Sequence, residues 1–118
     1  MYKVIFFLIA LLLGSASSHA QTTSPDASAN ASALAGRIAD KMRDSLQLSF
    51  DQRAQINDIN LQLSNQKQAV RSQSIDRNVV MAGIQKIEGS RDSLYKAVLT
   101  NSQFNLYRQK KRNLVSAN

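Results

Sequence analysis

Residues 43–52 read RDSLQLSFDQ, and residues 91–103 read RDSLYKAVLTNSQ. Both open on Arg-Asp-Ser-Leu. Both close on a leucine, a hydroxyl residue, two further residues and a glutamine: Leu48-Ser49-Phe50-Asp51-Gln52 and Leu99-Thr100-Asn101-Ser102-Gln103. A hydroxyl followed three positions later by Gln is a capping box. The hydroxyl accepts from an orphan N–H of the first helical turn, and the Gln side chain reaches back to the N–H of the cap residue. Each such cap stabilises a helix start by about 1 kcal/mol. The two copies therefore mark a repeated helix–cap–helix unit, with connecting lengths that differ by three residues.

Working outward from the boxes, the spacing of apolar residues is helical. Leu34, Ile38, Met42 and Leu46 follow at steps of four. Ile56, Ile59, Leu63 and Val70 share a second face, and Val80, Ile84, Ile87, Leu94 and Val98 a third; Phe104 and Tyr107 begin a fourth segment. Strand-like alternation is missing, and no Pro occurs after Pro25. The pattern predicts an all-α fold with helices near 33–46, 50–75, 78–98 and 101–114. The break between the second and third is the weakest, because only Ser72, Ser74, Asp76 and Asn78 disfavour helix there. From Leu34 on, Val, Ile, Leu, Met, Phe and Tyr number 26. So few large side chains make a poor closed bundle, and small domains often complete their burial with a second chain. The expectation is an elongated helical hairpin that pairs as a homodimer.

Residues 1–20 read as a secretory signal. Lys3 supplies positive charge, Val4 to Leu13 form an apolar run, and Ser18-His19-Ala20 places small residues where a signal peptidase requires them. A membrane span needs about 20 apolar residues, and this run is half that. Cleavage is expected after Ala20. Residues 21–33, QTTSPDASANASA, hold no large apolar side chain and read as a disordered leader. Residues 34–118 form the helical domain.

Composition excludes much chemistry. The chain has no Cys, and His19, its one His, lies in the signal. Disulfides, thiolate and zinc chemistry, and Ser–His nucleophile pairs are therefore absent from the mature chain. Glu88 is the single Glu. Asp40 and Asp44 stand four apart, but Arg37, Lys41 and Arg43 surround them, which gives a solvated, ion-paired face. No catalytic residue, cofactor-binding residue or metal ligand is assigned, no cofactor is implied, and the reading is not an enzyme.

The basic residues are what remains. Removing Lys3 from the 15 basic residues leaves 14 against 8 acidic, a net charge of +6. Arg53, Lys67 and Arg71 fall close to one angular sector of the second helix. Arg108, Lys110, Lys111 and Arg112 cluster at the helical end of the chain. These seven are the candidate partner-binding residues, through a field that draws in anionic partners. A secreted chain with few stacking aromatics near the cluster argues against nucleic acid. Leu61, Val79, Met81 and Leu106 fall off the core stripes and are candidate contacts for a client.

On its two Leu-hydroxyl-x-x-Gln boxes, the sequence resembles the Spy/CpxP, or LTXXQ-motif, family of periplasmic proteins. Leu99-Thr100-x-x-Gln103 matches that motif fully, and Leu48-Ser49-x-x-Gln52 carries Ser for Thr, which keeps the capping hydroxyl. The resemblance covers roughly residues 34–114. It implies a cradle-shaped antiparallel homodimer in the bacterial envelope, acting as an ATP-independent chaperone or as an adaptor that reports envelope stress. The absence of His from the mature chain departs from the metal-responsive branch. The expected function is thus a periplasmic chaperone-like protein that binds unfolded or stress-exposed clients. The alternatives are a regulatory adaptor for an envelope sensor protein, and a structural protein in peripheral contact with anionic membrane.

Overall fold

The computed structural model describes residues 25–116. They form four helices: α1 (Pro25–Leu46), α2 (Phe50–Gln73), α3 (Arg77–Val98) and α4 (Asn101–Leu114). Among the described residues there is no strand. The expected signal at 1–20, its expected cleavage after Ala20, and residues 21–24 of the expected leader lie outside the described residues.

The boundaries follow from local chemistry, with one departure from expectation. Residues 25–33, read as part of a disordered leader, belong to α1. Pro25 is the first helical residue, where its fixed φ suits the helix and its missing N–H costs nothing. The run behind it is rich in Ala, the best helix former. Low apolarity forecast little burial, which is correct for 28–33, but it says nothing of propensity. The helix is anchored further along, where Ala35, Ile38, Ala39, Met42 and Leu46 are buried. The expected break between the second and third helices is present, two residues earlier on the α2 side than the spacing suggested. Helix ends at Gln73 and resumes at Arg77. Ser74 Oγ accepts from the Asp76 N–H, and Asp76 Oδ1 accepts from the Asn78 N–H, so these side chains draw backbone donors out of the helix ladder.

α1 ends differently from α3. Gln47 takes the left-handed conformation at φ 55°, and the Leu48 N–H donates back to the Arg43 carbonyl at 3.2 Å. This is the helix-stopping geometry usually given to Gly. α3 ends without it, on Leu99 in extended conformation.

α1 lies along α2, and α2 along α3; α4 packs mainly on α1 and more lightly on α3. The core gathers at the end where α1 meets α2 and α3 meets α4. It comprises Ile38, Ala39, Met42, Leu46, Leu48, Ile56, Tyr95, Leu99, Tyr107 and Leu114. The Tyr95 and Tyr107 rings meet edge to face at 5.1 Å. The first stripe and the start of the second face this core, but of the third only Val98 does; α3 instead turns Tyr95 and Arg91 inward, and Leu94 is only half-buried. Buried residues of α2 stop at Leu63, and those of α3 begin at Arg91. The far half of the α2–α3 hairpin is thus lightly packed and ends in exposed Ile75, Val79 and Met81. No described helix is long and apolar enough to cross a membrane.

Glycines probe the packing. A Cβ at Gly36 or Gly89 meets nothing within 4 Å, whereas one at Gly83 lies 2.8 Å from Val70 Cγ1. Gly36→Ala and Gly89→Ala should each stabilise by about 0.5–1 kcal/mol, because Ala loses less backbone entropy in a helix. Gly83→Ala should forfeit that gain to the Val70 clash. Thermal unfolding of the three variants checks this; equal gains at all three would show that α2 and α3 do not approach closely there.

Candidate functional site: two facing capping boxes and a cationic helix

Ser49 and Thr100 are the N-caps of α2 and α4, and both boxes are complete. Ser49 Oγ accepts from the Gln52 N–H at 3.1 Å, and Gln52 Oε1 accepts from the Ser49 N–H at 3.0 Å. Thr100 Oγ1 accepts from the Gln103 N–H at 3.2 Å, and Gln103 Oε1 accepts from the Thr100 N–H at 3.0 Å. Leu48 and Leu99, the leucines ahead of the caps, are buried.

The structure brings the two boxes together. Gln52 Nε2 donates to Gln103 Oε1 at 2.8 Å, and Gln103 Nε2 donates to Gln52 Oε1 at 3.2 Å. Gln52 Nε2 also donates to the Val98 carbonyl at the end of α3, at 3.1 Å. Gln103 Nε2 reaches the Leu46 and Gln47 carbonyls at the end of α1, at 3.4 and 3.5 Å. Each glutamine thus touches its own helix start, the end of a helix from the other half, and its counterpart. This clasp is structural. Its hydroxyls are engaged as helix caps.

A second polar cluster lies along the bundle. Asn60 is buried on α2 and donates Nδ2 to the Ala35 carbonyl at 3.2 Å. Its Oδ1 accepts from Arg91 Nη1 at 3.1 Å and from the Tyr95 hydroxyl. Buried Arg91 also donates to the Tyr95 oxygen at 2.8 Å and forks onto Glu88, at 2.8 and 3.1 Å. Lys67 pairs with Glu88 from α2. Burial alone would raise the Glu88 carboxyl, but the hydrogen bonds and charges of Arg91 and Lys67 outweigh it and hold it at about 2. Burial would likewise lower the Arg91 guanidinium, and Glu88 more than reverses this. Among the described side chains no buried polar atom lacks a partner. A cavity of about 130 Å³ opens beside the cluster, between Leu34 and Ile38 on one side and Lys67 and Glu88 on the other.

The candidate partner-binding residues divide into two sets. Arg53 pairs with Asp40 of α1 at 2.9 Å, Lys67 with Glu88, and Lys111 with Asp92 at 2.9 Å. These three hold helices together rather than facing outward as one sector. Asp40 finds a partner across the helix pair. Asp92 is further fixed by the Tyr107 hydroxyl at 2.8 Å; against the effect of burial, Lys111 and Tyr107 hold its carboxyl low. Burial and Asp92 together push the Tyr107 phenol up. Arg71, Arg108, Lys110 and Arg112 are exposed and make no ion pair among the described residues. α4 carries four cations and no carboxylate. Of the off-stripe residues, Leu106 packs on the core and Leu61 is half-buried, while Val79 and Met81 are exposed.

Sequence reasoning missed Asn60, Arg91 and Tyr95. The one available signal was Arg91 in the repeated Arg-Asp-Ser-Leu, and its counterpart Arg43 is exposed. Comparison with family models, curated proteins and solved structures found no match to the chain.

Two measurements follow from this geometry. In a double-mutant cycle, Gln52→Ala and Gln103→Ala should couple by about 1 kcal/mol, the net worth of neutral hydrogen bonds lost together; strict additivity would show that the clasp contributes nothing beyond the two caps. The second is acid stability. Glu88 sits at about 2 in the fold against an ordinary 4.5. Its contribution is present above its unfolded value and is lost as pH falls through its folded value. The melting temperature should drop as pH falls from 4.5 toward 2, and Glu88→Gln should remove part of that drop. Parallel pH profiles would rule out Glu88 as a source.

Proposed function

We propose that the chain is a non-catalytic, ATP-independent chaperone-like protein of the periplasm that holds unfolded or stress-exposed clients. The observation that carries this is α4. Three of its cations, Arg108, Lys110 and Arg112, are exposed, and no carboxylate on the helix offsets them. Such a helix attracts acidic polypeptide over a distance set by ionic strength. Exposed Phe50, Val79 and Met81 supply scattered apolar contacts once a client is close. Weak, dispersed contacts of this kind suit many sequences better than one. The resemblance of the two Leu-hydroxyl-x-x-Gln boxes to the LTXXQ-motif proteins supports the same reading.

The test is client aggregation followed by light scattering, without ATP, for the mature chain and for Arg108→Gln/Lys110→Gln/Arg112→Gln. At low salt the triple variant should lose protection on the order of tenfold, the scale of electrostatic steering. Near 1 M salt, where the Debye length is about 3 Å, the two proteins should converge. Unchanged helical circular dichroism in the variant confirms that the fold survives. Equal protection by both proteins at low salt would overturn the electrostatic mechanism. No protection by either would overturn the chaperone reading and favour an adaptor that presents α4 to an envelope sensor.

A further inference from the structure

The protein divides into two like halves, α1–α2 and α3–α4. Gln52 and Gln103 stand 51 residues apart. That offset also relates Leu48 to Leu99, Ser49 to Thr100, Ile56 to Tyr107 and Leu63 to Leu114. The leucine pairs and the Ile56–Tyr107 pair are buried in every member. The hydrogen bonds repeat too, since Gln52 to the Val98 carbonyl corresponds to Gln103 to the Gln47 carbonyl.

The halves are held by the clasp, the Asn60–Tyr95–Arg91 cluster, the Lys67–Glu88 pair and the packing of α1 on α4. None of these uses the segment that connects them. That segment, Ser74-Ile75-Asp76, contains no Gly or Pro. Ser74 lies at φ −146° and Asp76 at φ −73°, so nothing there requires a turn. Two short side-chain bonds shape it, from the Asp76 N–H to Ser74 and from the Asn78 N–H to Asp76. At its centre Ile75 is fully exposed, the most exposed large apolar residue in the fold.

We propose that Ser74-Ile75-Asp76 is a hinge through which two copies of this chain exchange halves. α1–α2 of one copy closes on α3–α4 of the other. α2, the hinge and α3 then run as one helix over residues 50–98, about 73 Å long at ~1.5 Å per residue. The partner's Gln103 completes each clasp, so each lobe is built from both chains. The two hinges lie side by side on the two-fold axis, and each covers the Ile75 of the other. Every contact between halves survives, two hinge hydrogen bonds give way to helix ladder bonds, and the exposed Ile75 is buried. Exchange of identical elements is a low-cost route to a symmetric dimer. The approach of Arg71 and Arg77 from both chains opposes it, beside the two Asp76 carboxylates. The proposal does not depend on the client-binding reading.

The chain lacks Cys, so introduced bridges report connectivity without background. A Cβ at position 83 lies 3.7 Å from Val70 Cβ, close to the ~3.8 Å of a disulfide. In Val70→Cys/Gly83→Cys, refolded and oxidised, exchange places each bridge between chains. A covalent dimer on a non-reducing gel that dithiothreitol splits is the expected result. Bridges found only within single chains, at every concentration from micromolar to millimolar, would overturn the proposal, even if the protein sediments as a dimer. Hinge variants of the cysteine-free chain test it separately by sedimentation. Ser74→Ala/Asp76→Ala favours the continuous helix and should raise the dimer fraction severalfold. Ile75→Pro breaks that helix and should return the protein to monomer, with the Ser74 conformation already suited to a following proline. A dimer fraction unmoved by both variants would overturn the exchange.

Discussion

Four helix ends meet at one place in this fold, and their backbone groups are what the clasp answers. The starts of α2 and α4 leave N–H groups without partners, and the ends of α1 and α3 leave carbonyls. Gln52 and Gln103 meet both needs at once. A primary amide offers an acceptor to the cap N–H and two donors for the carbonyls and the opposite amide. This explains the residue choice. Glu at the same position would complete a capping box equally well, but ionised Glu has no donor for Val98 or Leu46. Facing one another, two carboxylates would also repel. The pair of glutamines therefore follows from the meeting of two helix–cap–helix units, not from the caps alone.

Away from the clasp, the stabilising interactions change character. Apolar burial fades along α2 beyond Leu63 and along α3 before Arg91. The buried polar cluster of Asn60, Tyr95 and Arg91 takes its place, with Glu88 and Lys67 at its outer side. Breaking such a cluster costs more than its net worth, because each orphaned group keeps its desolvation penalty. The cluster thus fixes the register of α2 against α3 more sharply than aliphatic packing would. Beyond it, half-buried aliphatic side chains such as Val70, Val80 and Ile84 line the contact.

The local half of this architecture was legible in the sequence and the long-range half was not. Ser49, Gln52, Thr100 and Gln103 act within three residues of one another, so their caps could be read directly. That the two boxes face each other depends on contacts across about fifty residues, which no local pattern encodes. Arg53, Lys67 and Lys111 looked like part of a basic surface because their partners, Asp40, Glu88 and Asp92, are distant in sequence. Asn60 and Arg91 lie outside the apolar stripes, so the spacing of hydrophobic residues could not mark them as buried. The start of α1 was missed for another reason. Composition between Pro25 and Ala33 reports burial, and there helix propensity and N-terminal proline chemistry decide the conformation.

The repeat also shows where the two halves diverge, and why the unbalanced charge sits on α4. Under the same offset, Asn57-Asp58-Ile59-Asn60-Leu61 of α2 corresponds to Arg108-Gln109-Lys110-Lys111-Arg112 of α4. α2 lies between α1 and α3, and both its flanks are covered. Ile59, Asn60 and Leu61 are accordingly buried or half-buried. α4 leans mainly on α1 and only lightly on α3, so one flank stays in water. Solvent tolerates any polar residue on that flank, and Ser, Gln or alternating charges would have kept it soluble. Instead the segment holds four cations, and α4 lacks the acids that α2 carries at Asp51 and Asp58. Lys111 alone turns inward, to Asp92. Cations near a helix C-terminus complement its dipole, but by only about 0.3–1 kcal/mol each, and within the last turn alone. Arg108 and Lys110 lie before that turn and gain little from it. Their charge is not explained by the helix that carries them, which is the physical reason for proposing α4 as the partner-facing surface.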